Sequence, residues 1–301
     1  MKIVYVILAH KLPEQLVRLV RRLDDDRSSF LIHFDRKASR ETFMRASRPL
    51  KAYPNVHFLR RYDRYYGDYN HLWTTLIGFE EMERLRIEYD YAILLTGQDY
   101  PIRSGAEIHR ALEQSNGVSY MEYFKLPSDI WKSEDGGLDR VNYWHFHIRG
   151  HFLSILKKSQ RLSRFLAAIS PGLTGIVPEI RRRLPADLTF YGGSAYWTLS
   201  RECVQYVTDF VRRNTALVEF FRHVLIPEEI FFQTVLLDSP LKHRVMNDNQ
   251  RYISWPSGSH HPRILLRENL MEIEKSGKLF ARKFDMDVDQ EVMDLIDERN
   301  R

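Results

Sequence analysis

A single cysteine, Cys203, stands in a chain of 301 residues. No disulfide can therefore form within the chain, and none of the twelve histidines has the Cys partners that zinc-finger spacing requires. Both facts suit a reducing compartment. Long hydrophobic runs are missing as well. The apolar start IVYVILA stops at His10 and Lys11, too short for a secretory core or for the roughly twenty apolar residues of a membrane helix. It reads as a first β-strand. A strong excess of one charge is also lacking: 45 basic residues face 40 acidic ones, a net +5. That is a modest surplus on a heavily charged surface, so a nucleic-acid partner is not expected. No internal repeat or low-complexity tract interrupts the chain.

What is present is globular: 44% hydrophobic, 28% charged and 13% aromatic residues, with length enough for one large core or two intimate subdomains. The first third alternates β-branched runs with amphipathic stretches: IVYVILA, PEQLVRLVRRL, SFLIHFD, a polar helix candidate, then NVHFLR. A long helix is predicted at about Asn70 to Arg86, then a strand YAILLT and a helix opened by the capping box Ser104 and Glu107. Strands alternating with helices imply a mainly parallel sheet whose ligands lie beyond the strands' carboxyl ends. From about Met121 to Pro185 the alternation fades into an aromatic, basic tract. Regular structure returns with LTFYGGSAYWTLS, a helix at about Arg201 to Arg213, and a proline-started helix PEEIFFQTVLL.

Chemistry can sit in several places. The turn after YAILLT puts Gln98 and Asp99 at a strand end, where a carboxylate is as often a turn former as a ligand. The Asp-x-Asp that holds a divalent cation in many sugar-nucleotide enzymes is absent there. DMDVD at Asp285 to Asp289 lacks the glycine and distal glutamate of a calcium loop and is expected to cap the last helix. His145, His147 and His151 have no carboxylate or cysteine companions, so a metal is not expected on them. Glu228 and Glu229 follow Pro227, where a helix start would stabilise carboxylates and would also suit a general base. LFARKFD anchors Arg282 and Lys283 between Phe280 and Phe284, an arrangement suited to a departing diphosphate as well as to plain surface charge.

Taken in order, ILAHK, IHFDRKAS, LLTGQDYPI, GGSAYWTLSRE, IPEEIFFQTVL and LFARKFD resemble the core-2/I-branching N-acetylglucosaminyltransferase and peptide O-xylosyltransferase family. The tract Met121 to Pro185 resembles it least. The resemblance implies a GT-A type α/β fold, a UDP-sugar donor, inversion at the anomeric carbon and no obligatory divalent metal. Matched residue by residue, it implies that Glu229 is the catalytic base and that Arg282, Lys283 and Arg263 contact the diphosphate. It also implies a nucleoside pocket at Leu8 and Asp35. Tyr65, Tyr66 and Gly67 stand at an aromatic-glycine motif near the donor, with Tyr66 in place of the usual tryptophan. Asp99, Tyr196 and Ser259 complete the expected donor site. Ala195 departs from the xylosyltransferase pattern, which has aspartate there.

The expectation is a single GT-A domain with a nucleotide-binding half at about 1–120, a variable insertion at about 121–185 and a catalytic part at about 186–301. It would move N-acetylglucosamine or xylose to a glycan, lipid-linked or peptide hydroxyl, in surface polysaccharide synthesis. The alternative is a non-catalytic protein that binds a nucleotide sugar or an anionic polymer. A cytoplasmic location is expected, with peripheral contact to the inner face of the membrane through 152–183. The basic tract FLSILKKSQRLSRFL could lie on an anionic bilayer or turn its apolar positions to the core.

Overall fold

A computed structural model of the chain describes residues 1–133, 135–148, 151–155, 181–185, 188–256 and 261–300. Most of the predicted 152–183 membrane-contact tract, and Ser259, lie outside the described residues.

The sequence opens βαβ as expected: β1 (Ile3–Ala9), α1 (Pro13–Leu23), β2 (Ser28–Phe34), α2 (Arg40–Leu50) and β3 (Val56–Phe58). α3 (Tyr69–Arg84), β4 (Tyr91–Thr96), β5 (Asp99–Pro101) and α4 (Gly105–Gln114) follow. Ser104 and Glu107 close the predicted capping box of α4. Next come β6 (Ser119–Met121), β7 (Phe124–Lys125) and a hairpin of β8 (Trp144–Ile148) and β9 (His151–Ile155). The last strands are β10 (Tyr191–Gly192), β11 (Trp197–Ser200), β12 (Val245–Met246), β13 (Arg251–Ile253) and β14 (Phe280–Arg282).

Seven strands form the main sheet in the order β12-β6-β11-β4-β1-β2-β3. β1 pairs in parallel with β2 and β4, β2 with β3, and β6 with β12. Only β11 runs antiparallel to its neighbours β4 and β6. This mixed, mainly parallel sheet flanked by helices is the fold the sequence predicts.

β1 explains why the sheet holds. Side chains on a strand alternate between faces. Ile3, Tyr5, Ile7 and Ala9 enter one core with α1 and the C-terminal helix Glu291–Arg299. Val4, Val6 and Leu8 enter a second core with α3 and the helices Arg201–Arg213 and Phe231–Leu237. Each such fully buried aliphatic side chain contributes roughly 1.5–3 kcal/mol. A strand buried on both faces must be central, and its carboxyl end then opens in the middle of one sheet edge.

Candidate active site

At that edge β1 runs into His10 and Lys11, β2 into Asp35, and β4 into the turn before Asp99. Leu8 lies in register with His33 and Thr96, buried beneath this opening. Asp35 is buried, and its Oδ1 accepts the backbone N–H of Lys37 at 2.9 Å while the Lys37 ammonium stands 3.8 Å from its Oδ2. The same ammonium lies 3.9 Å from the ring centre of Tyr65, on which His147 stacks at 4.1 Å. Asp35, Lys37, Tyr65 and His147 thus make one wall. Tyr66 points outward, 70% exposed. Gly67 takes a φ of 78°, which a side chain would strain, and its carbonyl accepts the Ile226 N–H at 3.1 Å. That bond ties the wall to the glutamate pair.

The predicted proline-started helix is broken. Pro227–Glu229 forms a single 3₁₀ turn, Ile230 turns away at φ −129°, and the α-helix spans only Phe231–Leu237. Glu228 and Glu229 therefore do not sit in the first turn of a continuous helix, and their charges answer to burial and to neighbours. Glu229 Oε2 accepts a hydrogen bond from Arg140 Nη1 at 2.7 Å. The Arg140 guanidinium in turn lies 3.5 Å from the centre of the Trp131 ring. Burial pushes the Glu229 carboxyl above its ordinary range, and the Arg140 charge opposes that shift. Glu122, exposed at its surface and bonded to Asn249 at 3.0 Å, is likewise pushed up by desolvation and then by the Glu229 charge.

The Glu229 carbonyl accepts the Gly193 N–H at 2.9 Å. A Cβ at Gly193 would fall 1.9 Å from the Glu122 carbonyl oxygen, and one at Gly192 2.6 Å from the Trp131 ring. Those approaches explain the glycine pair of GGSAYW. Gln233 Nε2 donates to the Ser194 carbonyl at 2.7 Å, just before the half-buried Ala195 and Tyr196.

Asp99 is fully buried, and its Oδ2 accepts from both the N–H and the hydroxyl of Thr96. It stands opposite Arg282 across the β5–β14 ladder. Arg282 is buried too, its guanidinium 4.2 Å from the centre of the Tyr196 ring. Arg251 approaches the same ring at 5.4 Å while donating to the carbonyls of Leu94 and Trp197. Burial depresses both guanidiniums, that of Arg251 to about 10, and the Asp99 charge supports them. The expected cation pair is therefore split: Arg282 belongs to this internal network, whereas Lys283 is only half-buried. Burial, then Lys11 and Arg282, lower the Lys283 ammonium. Arg263 is exposed, two residues from Leu265, whose N–H binds the Lys283 carbonyl at 2.8 Å.

Of the three histidines, His145 and His147 go to different partners, and the His151 side chain lies outside the described residues. His145 Nδ1 bonds the Ser154 hydroxyl at 2.8 Å, and His147 stacks on Tyr65. Among the described residues no three His, Cys, Asp or Glu side chains are grouped to hold a metal ion. Asp289, expected to cap the last helix, does accept the Val292 N–H at 3.2 Å, while Asp285 pairs with Lys11 at 2.7 Å. A surface groove of about 620 Å³ lies elsewhere, lined by Arg18, Arg22 and Arg45. Asp294, Asp297 and Glu14 already pair with those cations.

Arg140, Arg64, His71, Glu122 and Arg251 were not singled out from sequence. Arg140 and Glu122 fall in the aperiodic tract, and the others carry no motif signal.

The model of the family described as Core-2/I-Branching enzyme matches residues 3–274. The chain belongs to that family. It is 24% identical, over 99% of its length, to the mouse beta-1,3-galactosyl-O-glycosyl-glycoprotein beta-1,6-N-acetylglucosaminyltransferase 4, and 24% identical, over 98%, to rat xylosyltransferase 2. It spans 65% and 33% of the lengths of those two proteins. Among solved structures, a 4-diphosphocytidyl-2C-methyl-D-erythritol synthase from Anaerococcus prevotii overlays with a TM-score of 0.33 at 9% identity, covering 71% of this chain and 76% of that one. A mannosyltransferase from Pyrobaculum calidifontis overlays with a TM-score of 0.31 at 11% identity, covering 55% and 46%.

Proposed function

We propose that this member of the Core-2/I-Branching family is an inverting glycosyltransferase that moves a sugar, N-acetylglucosamine or xylose, from a UDP-sugar to a hydroxyl group of a glycan or other acceptor. Asp35 and the Tyr65 wall take the nucleoside. Lys283 and Arg263 take the diphosphate, with the buried cations Arg282 and Arg251 behind Tyr196. Glu229 removes the acceptor proton as the oxygen attacks the anomeric carbon from the face opposite UDP. No divalent metal is required in this reading, and what supports that is the placement of Asp99, which is buried, bonded through Oδ2 to Thr96 and in register with Arg282. Surface polysaccharide synthesis is the setting proposed for it, with the acceptor glycan, lipid-linked or peptide-borne.

The single observation that carries the reading is the position of Glu229. One half-buried carboxylate, raised by burial and held by Arg140, is tied by its own backbone to the Gly193 loop and by Ile226 to the Tyr65–Gly67 wall. A general base contributes typically 10²- to 10⁴-fold. Glu229→Gln is therefore expected to lower kcat by about that factor while UDP still binds. Turnover at the wild-type rate in that variant would remove the assignment, and absence of turnover of any UDP-sugar by the intact chain would favour a binding protein.

A further inference from the structure

Behind the catalytic turn lies a buried polar chain that the proposed reaction does not use. Arg64 is buried in front of α3, and its Nη2 lies 3.1 Å from Nδ1 of His71 in the first turn of that helix. Glu228 Oε1 lies 3.5 Å from the same Nδ1. An arginine can only donate, so Nδ1 is an acceptor and His71 is neutral. Burial, and then the Arg64 charge, hold it neutral in any case. Glu228 Oε1 consequently stands beside an acceptor whose one lone pair Arg64 already engages. An ionised carboxylate there would set acceptor against acceptor, while a protonated one turns an O–H toward the imidazole and removes that repulsion. Among the described residues, the Oε2 atom of Glu228 and the Nε and Nη1 atoms of Arg64 are buried without hydrogen-bond partners.

We propose that Glu228 is a positioning residue: held as a neutral acid against the Arg64–His71 pair, it fixes the one-turn segment that aims Glu229 at the acceptor hydroxyl. This inference rests on the proposed function of that site. The groups facing Glu228 are Glu229 on its own turn, Arg64, Tyr66 and Asp68 from the segment before α3, and His71 from α3, with Arg140 beyond Glu229. Burial, then the Glu229 charge, push the Glu228 carboxyl up to about 8. Through that pH Glu228 gains a charge, faces the imidazole acceptor and the Glu229 carboxylate, and loosens the turn. The reaction is therefore expected to have an alkaline limb that belongs to Glu228.

The test compares the whole chain with Glu228→Gln, Glu228→Leu and Glu229→Gln, by UDP release from UDP-N-acetylglucosamine and UDP-xylose across pH 5 to 10, with UDP binding followed by thermal shift. Glu228→Leu is expected to lose at least tenfold in kcat with its UDP-induced shift retained. Glu228→Gln, which keeps a donor toward the imidazole, is expected to recover most of that loss and to lose the alkaline limb. A folded Glu228→Leu with wild-type kcat overturns the proposal, as does Glu228→Gln with an unchanged alkaline limb, which decides the matter even where the leucine variant fails to fold. Undiminished turnover in Glu229→Gln would instead overturn the functional reading. Loss in Glu229→Gln with wild-type behaviour in both Glu228 variants would overturn this inference alone.

Discussion

At Glu229 two effects oppose each other. Burial favours the neutral acid, and a guanidinium 2.7 Å away favours the carboxylate a base must be. Removing Arg140 leaves burial alone, so the Glu229 carboxyl rises further and more of it is protonated at any given pH. Arg140→Ala is therefore expected to move the acid limb of kcat/KM to higher pH, with activity at pH 6 falling more than at pH 8. Arg140→Lys restores the charge but not the flat stacking on Trp131, and so brings the limb only part of the way back. A pH–rate profile of the two variants measures this. An acid limb that stays in place in Arg140→Ala would mean that the ion pair does not govern the base. The proposed base, Glu229, was singled out in sequence through its IPEE motif, whereas Arg140 was not. The guanidinium reaches Glu229 from a tract without hydrophobic period, where chain order says nothing about which side chain returns to the site.

At the scale of elements, the periodic ones were read correctly and the turn was not. IVYVILA and YAILLT are β-branched runs buried on both faces, and Ser104 with Glu107 announces a helix start, so local pattern and tertiary packing agree. PEEIFFQTVLL reads as one helix because proline favours a first turn. The chain instead breaks at Ile230, where a buried side chain and the Gly193–Glu229 backbone bond override propensity. Two predictions belong here. Gly193→Ala would place a methyl on the Glu122 carbonyl. It should cost about 1–3 kcal/mol of stability, as overpacking does, and should lower kcat because the Glu229 carbonyl loses its anchor; denaturant unfolding and turnover check both. The second concerns Glu228, whose carboxyl is ordinary in the unfolded chain and raised to about 8 in the fold. Between its ordinary value and about 8 the folded protein holds the proton more tightly than the unfolded chain, so this group's contribution to stability is full below that window and falls as pH rises through it. Glu228→Gln cannot ionise. Its melting temperature relative to the wild type should accordingly climb between pH 5 and pH 8, and a constant difference across that range would show that Glu228 does not titrate there.

For the molecule as a whole, the proposed UDP-sugar donor needs cations for its diphosphate, and the split between Arg282 and Lys283 turns that proposal into a contrast of two stabilities. The sequence shows the two cations side by side in LFARKFD. It cannot show that the strand ends at Arg282, which pairs in the ladder opposite Asp99 and is buried, while Lys283 just beyond it is only half-buried. Ligand that binds only the folded state adds roughly 2.7 kcal/mol at about a hundred times its dissociation constant. For a domain of this size each kcal/mol moves the melting temperature by about 2–4 °C. With UDP and excess EDTA, the wild type is expected to show that shift. Lys283→Ala should melt where the unliganded wild type does and lose most of the UDP-induced shift. Arg282→Ala should melt lower without any ligand, because a buried guanidinium packed on Tyr196 and opposite Asp99 is lost from the core, a change expected to cost about 0.5–3 kcal/mol. If instead Lys283→Ala keeps the full UDP shift, the leaving group is held elsewhere. If the wild type shifts only after magnesium or manganese is added, a metal does the work assigned here to lysine and arginine.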